Sequence, residues 1–404
     1  MNWVRQTTWM FAAVGVLAFS LVSQSCPFCD GEKGPTLIGQ FEDAQIVLFG
    51  HFENPRISNG GLEQGETDFV IERVLKSHDM IKDKKQITIP RHVLDTKSKF
   101  IIFCDIYKGK NDTAAKIDAY KGTAVANDGE MIRYIEGIMK VKGKAQPERL
   151  RLAFDFLNSP ELEVAMDAYR EFAKADYSDY KDMAKKLPAE TIVGWLNDPK
   201  TPPFRYGLYA SLLGHCGGKE HGKLLLAMIE DPEKSKGSGM SGMMASYMML
   251  EPEKGWSYVK DLVQAKDKPF LTRYAGLQTM RFLWENRPDL VNAKDEAAGK
   301  TEIVKGVASV MHLTDMADFA IEDLRKWHRW EYSDEVLGLF GKKNYNTPIL
   351  RKSILRYALQ CQSDGAKAFV KTQRGINAEW VDETKELLDL ETPAVAAPVP
   401  ALKK

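Results

Sequence analysis

The sequence Pro269-Phe-Leu-Thr-Arg-Tyr-Ala275 recurs in related form as Pro203-Phe-Arg-Tyr-Gly-Leu208 and as Pro348-Ile-Leu-Arg-Lys-Ser-Ile354. Each segment begins with proline, continues to an arginine and has a small residue two positions after it. The arginines stand at positions 205, 273 and 351, and each interval accommodates two units of roughly 35–45 residues. Proline in the first turn is typical of a helix start, so the pattern predicts a recurring helix pair.

Apolar residues occur at helical spacing from about residue 128 to residue 388. One such face is formed by Leu350, Ile354, Leu355 and Ala358. A helix pair cannot bury so wide an apolar face alone, and stacking of neighbouring pairs supplies the missing contacts. The sequence therefore predicts an α-solenoid over residues 128–388. Its pattern of proline, apolar residue, arginine and small residue resembles HEAT repeats, which implies about five or six units.

Before residue 128 the pattern is that of β-strands. Residues 44–52 are mostly apolar and predict a buried strand, and the segments Phe69-Val-Ile-Glu-Arg-Val-Leu-Lys76 and Ile101-Ile-Phe-Cys104 are also strand-like. Turn residues between them predict a small antiparallel barrel or sandwich over residues 26–127. This order resembles netrin-like modules, and the resemblance implies an OB-like barrel. The expected fold class is α+β and multidomain, with this β domain followed by a HEAT-like α-solenoid.

The two ends of the chain differ from the rest in composition. Residues 1–25 have the organisation of a signal peptide, with an apolar run from Met10 to Val22 and small residues just before Cys26. The protein is therefore expected to be exported, to the periplasm or the extracellular space. Two alternatives stay open: an uncleaved N-terminal anchor that holds the protein at a membrane, or a lipid on Cys26. Residues 389–404 are rich in proline and alanine, and we expect a disordered tail there.

The five cysteines are Cys26, Cys29, Cys104, Cys216 and Cys361. In an exported protein disulfides persist, so the sequence predicts one structural disulfide among Cys26, Cys29 and Cys104. A redox site at Cys26-Pro-Phe-Cys29 would need a helix N-terminus to lower the thiol pKa, and loop residues follow instead. A zinc site would need two further ligands, for which Cys104 and His51 are the candidates.

A glycine motif and a basic aromatic motif occur in the helical part. Gly237-Ser-Gly239-Met-Ser-Gly242 matches a dinucleotide-binding pattern but lacks the preceding strand, so it predicts a turn between helices. Arg325-Lys-Trp-His-Arg-Trp330 combines residue types that dominate binding hot spots. We therefore take Arg325, His328, Arg329 and Trp330 as candidate partner-binding residues.

Charge and motif content limit the function. Lys plus Arg and Asp plus Glu both number 56, which argues against a dedicated nucleic-acid-binding protein. No catalytic, cofactor-binding or metal-binding constellation is recognisable, so we expect a non-enzymatic scaffold that binds a protein or an envelope polymer. The alternative is a redox or metal-handling protein that uses Cys26 and Cys29. Residues 204–217, 282–290 and 320–331 resemble a family of exported bacterial HEAT-like proteins, a resemblance that implies no particular activity.

Overall fold

A computed structural model describes residues 28–29, 34–57, 65–108, 115–126, 129–234, 239–292 and 294–391. The chain is α+β, as expected: an antiparallel sheet lies near the N-terminus and a large helical region follows it. The predicted signal peptide over residues 1–25 lies outside the described residues, and so does most of the predicted tail. The last helix continues to Glu391, three residues into the segment that was predicted to be disordered.

Five antiparallel strands form one sheet in the order β3-β2-β1-β4-β5. The strands are β1 (Ile46–Ile57), β2 (Gly65–Lys76), β3 (Gln86–Ile89), β4 (Lys99–Tyr107) and β5 (Lys116–Val125). A short helix, α1 (Leu37–Asp43), precedes them. Both faces of the sheet are buried at the centre, which explains the apolar runs over residues 46–49 of β1 and 100–104 of β4. Ile46 and Leu48 belong to a small core within the sheet, whereas Val47 and Phe49 join the core that contains the helices.

Sixteen helices follow among the described residues of the helical region. They are α2 (Glu130–Val141), α3 (Gln146–Phe156), α4 (Leu162–Lys174), α5 (Tyr177–Ala184), α6 (Ala189–Asn197), α7 (Tyr206–Cys216), α8 (Gly222–Glu230), α9 (Met240–Leu250), α10 (Pro252–Gln264), α11 (Phe270–Asn286), α12 (Glu296–Val310), α13 (Ala317–Lys326), α14 (Ser333–Leu337), α15 (Pro348–Gln360), α16 (Asp364–Ile376) and α17 (Ala378–Glu391).

Several alternate helices pack against each other. Helix α7 packs on α9, α9 on α11, and α13 on α15, while α8 and α10 pack on α9, α12 on α13 and α16 on α15. The arginines of the recurring segments lie in or just before the first turns of α7, α11 and α15. Arg205 is buried and donates to the carbonyl oxygen of Leu157 at 3.1 Å, and Arg273 is buried and paired with Asp315. Arg205 and Arg273 therefore each bond to a residue in the turn beside another helix.

Helices α7 and α9 approach each other through glycines. A Cβ atom on Gly242 would lie 2.6 Å from the carbonyl oxygen of Gly207, and one on Gly239 would lie 2.4 Å from the amide nitrogen of Gly207. Gly242 is part of α9. The prediction of a simple inter-helix turn at this motif is therefore wrong for Gly242, which lies at a helix–helix contact.

The residues before the sheet are attached to the helical region. The Phe28 ring is buried and lies 4.6 Å from the ring of Phe282 on α11. The amide of Leu37 donates to the carboxylate of Asp167 on α4 at 2.8 Å, and the Tyr134 hydroxyl donates to the same carboxylate at 3.0 Å. Burial raises the pKa of Asp167 to about 6.

Candidate functional site

A surface groove of about 550 Å³ crosses the three helices α11, α13 and α15. The helices lie side by side in matching register along it. The Tyr274 and Phe319 rings are 4.9 Å apart at one end, and the Trp284 and Trp327 rings stack at 4.5 Å at the other. The groove therefore has aromatic walls that α11 and α13 supply together.

Helical periodicity explains why these side chains face the groove. In α15, Thr347 caps the helix and accepts a hydrogen bond from the amide of Leu350 at 3.3 Å. Leu350 and Ile354 turn into the core, so Ile349 and Arg356 fall on the opposite face, together with Lys352. Ile349 is 67% exposed, which is unusual for a large apolar residue that lines a groove.

The apolar edge of the groove continues beyond Ile349. The Phe270 ring stacks on the Tyr274 ring at 5.8 Å and lies 6.2 Å from the Phe319 ring. Leu271, beside Phe270, is 71% exposed. Contiguous exposed apolar side chains of this kind mark interaction surfaces more often than single exposed residues do.

The middle of the groove is crossed by ion pairs. Arg281 of α11 donates from Nε to both carboxylate oxygens of Asp323 at 2.8 Å. Arg356 of α15 donates to Glu322 at 2.7 Å and to Glu391 at 2.6 Å. These contacts connect α11 to α13, α13 to α15 and α15 to the end of α17.

Four charged residues of the groove remain outside these pairs: Glu285, Asp318, Lys326 and Lys352. Among the described residues, none of them forms an ion pair. Burial raises the pKa values of Asp318 and Glu285, and it raises the pKa of Asp323 to about 6. Carboxyls whose pKa values are raised by desolvation concentrate at functional sites, because the charged form there lacks full compensation. The groove thus offers unpaired charges of both signs beside aromatic walls.

Arg325, one of the candidate partner-binding residues, is not available to a partner. Its side chain is 4% exposed and bonds to Glu322 at 2.8 Å, to Gln360 at 2.8 Å and to Glu391 at 3.1 Å. We correct this prediction: the guanidinium joins helices α13, α15 and α17 within the chain.

The other three candidates form the turn after α13. His328 is exposed and has a φ angle of 56°, a left-handed conformation that few non-glycine residues adopt. The Arg329 guanidinium lies 4.7 Å from the centre of the Trp284 ring, and the Trp330 ring packs edge-on against Tyr357 at 5.0 Å. Arg329 and Trp330 are therefore half-buried and packed beside the groove end, whereas His328 faces solvent.

Only part of the predicted cysteine site lies within the described residues. Cys26 lies outside the described residues, and Cys29 is half-buried beside Phe28 on the helical region. Cys104 is completely buried in β4 and forms no disulfide, and burial raises the pKa of its thiol to about 12. A disulfide between Cys104 and the N-terminal cysteines is thus absent from the structure. His51, the fourth candidate zinc ligand, instead contacts Glu72 at 2.8 Å and Glu53 at 3.1 Å.

A second polar feature lies near the Phe28 contact. The Tyr177 ring is 5.0 Å from the Phe282 ring and 5.4 Å from the His215 ring. Burial lowers the pKa of His215 to about 4, and Arg287 acts in the same direction. The Nε2 atom of His215 is buried and makes no hydrogen bond. His215 is therefore a neutral packing residue at neutral pH.

Metal ligation and membrane crossing can be judged for the described ranges. Within them, no three His, Cys, Asp or Glu residues are grouped so that they could hold a metal ion. In the same ranges, no helix has both the length and the apolar character that a bilayer crossing needs.

Comparison with known proteins does not assign the chain to a family. No protein-family model matches the chain, and no curated protein matches it. Among solved structures, human deoxyhypusine hydroxylase in complex with glycerol aligns with 64% of this chain and 96% of its own, at 12% sequence identity. The TM-score of that alignment is 0.23, a value at which the likeness carries no argument.

Proposed function

We propose that this protein is an exported, non-catalytic interaction protein that binds a segment of another protein in the groove of α11, α13 and α15. The observation that carries the proposal is the groove itself: about 550 Å³, walled by aromatic rings and lined by unpaired charges of both signs. Export rests on the predicted signal peptide alone.

The proposal includes a HEAT-like α-solenoid as the scaffold. Two observations support it. Alternate helices contact each other from α7 through α9 to α11 and again from α13 to α15, and the recurring prolines stand at or just before the starts of α7, α11 and α15. For the β domain, an OB-like barrel is supported by the approach of the two edge strands. Arg91, just after β3, lies 3.9 Å from Asp118 of β5.

The lining favours a protein segment over a polymer of one charge sign. A protein segment combines apolar side chains with charges of both signs. Phe270, Tyr274 and Phe319 would take its apolar side chains. Aromatic residues beside arginine are also the residue types that dominate protein–protein hot spots. The single-sign lining that a strongly charged polymer would require is not found here, because Lys326 and Lys352 stand beside Glu285 and Asp318.

The redox or metal-handling alternative has no added support from the described residues. Phe28 is anchored in the helical region, but the position of Cys26 is not described. That alternative stays a prediction from the sequence, and mass spectrometry of the native protein with thiol labelling tests it. Bound metal, or reactive low-pKa thiols at both Cys26 and Cys29, would favour it.

A comparison of matched variants tests the groove. The full chain, the double variant Tyr274→Ala/Phe319→Ala and the control Leu162→Ala are used to capture proteins from an envelope extract, with quantitative mass spectrometry. Leu162 is a suitable control because it is 68% exposed and lies on α4, away from the groove. We expect at least one protein whose capture falls about tenfold or more with the groove variant only. If every captured protein binds all three chains equally, the proposal is wrong.

A further inference from the structure

The last described residue of the chain is held by a residue that lines the groove. Helix α17 ends at Glu391, whose carboxylate oxygens both lie 2.6 Å from Nη2 of Arg356. Arg356 also lines the groove, and the buried Arg325 holds Glu391 from the other side at 3.1 Å. Two guanidinium groups thus fix the position of Glu391, one of which belongs to a residue that lines the groove.

The sequence that follows suits such a groove. Residues 392–404 are Thr-Pro-Ala-Val-Ala-Ala-Pro-Val-Pro-Ala-Leu-Lys-Lys, with three prolines, two lysines and no acidic residue. Closely spaced prolines favour the polyproline II conformation, and aromatic-lined grooves bind sequences of this kind at low entropic cost. The two lysines complement Asp318 and Glu285, the groove carboxyls that form no ion pair within the described part of the chain.

The distances permit the contact within one molecule. In the polyproline II conformation a residue spans about 3.1 Å, so thirteen residues span about 40 Å. Packed helices lie about 8–10 Å apart, so the path from α15 across α13 to α11 is about 20 Å. Residues 392–404 are therefore about twice as long as the path requires.

We propose that residues 392–404 bind in the groove of the same molecule and act as a built-in competitor for the external protein segment. The prolines contact Phe319 and Tyr274, and Lys403 and Lys404 approach Asp318 and Glu285. This inference rests on the proposed function, since a competitor has a role only if the groove also binds a partner.

Tethering makes even a weak contact effective. A short flexible connection gives an effective concentration of about 1 mM. A tail with an intrinsic dissociation constant of about 100 μM would then occupy the groove about nine-tenths of the time, and external binding would weaken about tenfold. The tail would compete with a partner of similar chemistry, which is a protein that carries an apolar segment with basic residues.

Photo-crosslinking in the full chain tests the contact directly. A benzophenone amino acid replaces Val399, and the crosslinked peptides are identified by mass spectrometry. We expect crosslinks to α11 or α13 within a single molecule, reduced about fivefold or more by Phe319→Ala and unchanged by the control Leu162→Ala. Crosslinks only between two molecules, or only outside α11, α13 and α15, would overturn the inference.

A competition experiment separates this inference from the proposed function. The probe is a synthetic peptide of residues 392–404, and its affinity is measured for the full chain and for the full-chain variant Lys403→Glu/Lys404→Glu. We expect about tenfold tighter binding to the variant, because its own tail competes less well. Equal affinity for both chains, or no binding to either, overturns the inference. In that case a partner whose capture depends on Tyr274 and Phe319 would still uphold the proposed function.

Discussion

The guanidinium of Arg281 and the carboxylate of Asp323 face each other across the contact of α11 and α13, with Nε of Arg281 2.8 Å from both carboxylate oxygens. The Asp323 side chain is 7% exposed and the Arg281 side chain is 26% exposed. Arg281 also donates to the Tyr274 hydroxyl at 3.1 Å, so the pair is connected to the aromatic wall of the groove. A mostly buried pair of this kind sets the register of two helices at the site.

Removal of one member of this pair is expected to destabilise the protein strongly. Asp323→Ala leaves Arg281 in a poorly solvated position without its carboxylate, at a cost of about 3 kcal/mol. The double variant Arg281→Met/Asp323→Leu should recover most of that loss, because no unpaired charge remains. Urea unfolding of both variants checks this, with the exposed pair of Lys185 and Asp182 as the control. A loss below about 1 kcal/mol for Asp323→Ala would contradict the interpretation.

Asp167 is expected to make stability depend on pH. Burial raises its pKa to about 6, above the value of 3.8 in an unfolded chain. As the pH falls from 7 to 4, the folded state therefore binds a proton that the unfolded state does not, and the contribution of Asp167 becomes less unfavourable. The difference in unfolding free energy between the native chain and Asp167→Asn should shift by about 2–3 kcal/mol towards the native chain over that range. Urea titrations at pH 7 and pH 4.5 that give the same difference would refute this.

Replacement of a glycine by alanine is expected to lower stability at the contact of α7 and α9 and to raise it at an exposed position of α6. Gly242→Ala places a methyl group 2.6 Å from a backbone oxygen, so the helices must separate, and we expect a loss of about 1–3 kcal/mol. Gly194 is exposed in α6 with no atom within 4 Å of the added methyl group. Gly194→Ala should therefore stabilise by about 0.5–1 kcal/mol. The melting temperatures of the two variants, each compared with that of the native chain, test this. Equal shifts for both variants would show that the contact of α7 and α9 leaves room for a methyl group.

The thiol of Cys104 is expected to be unreactive in the native protein. Its pKa is raised to about 12 by burial, so little thiolate is present at pH 8 and no reagent can reach it. Alkylation at pH 8 followed by mass spectrometry should modify Cys104 only after unfolding. Rapid native modification would contradict the buried position. Failure to react in the unfolded, unreduced chain would instead reveal a disulfide at Cys104.

Helices and strands could be predicted from the sequence where one face or both faces of the segment are apolar over many residues. Strand β1 and helix α15 belong to this class. Helix α1 was missed, because residues 26–40 contain many turn formers and Leu37, Ile38 and Phe41 give only one short helical face. That helix depends on tertiary contacts, among them the bond from the Leu37 amide to Asp167.

The candidate site was less predictable than the fold. Arg325 and Arg281 both lie on helices with polar faces, and nothing local in the sequence shows that one is buried by α17 while the other lines the groove. The groove depends on the register of three helices that begin at residues 270, 317 and 348, far apart in the sequence. The available signal was the polar face of α13, which carries Glu322 and Lys326 opposite its apolar stripe.

The contact between Phe28 and Phe282 joins the earliest described residues of the chain to a helix more than 250 positions later. During synthesis the sheet can pair its strands as soon as residue 125 has emerged, but Phe28 has no place to bind until α11 has been made. The attachment of Phe28 to α11 is therefore a late event in folding, and it follows the pairing of the strands.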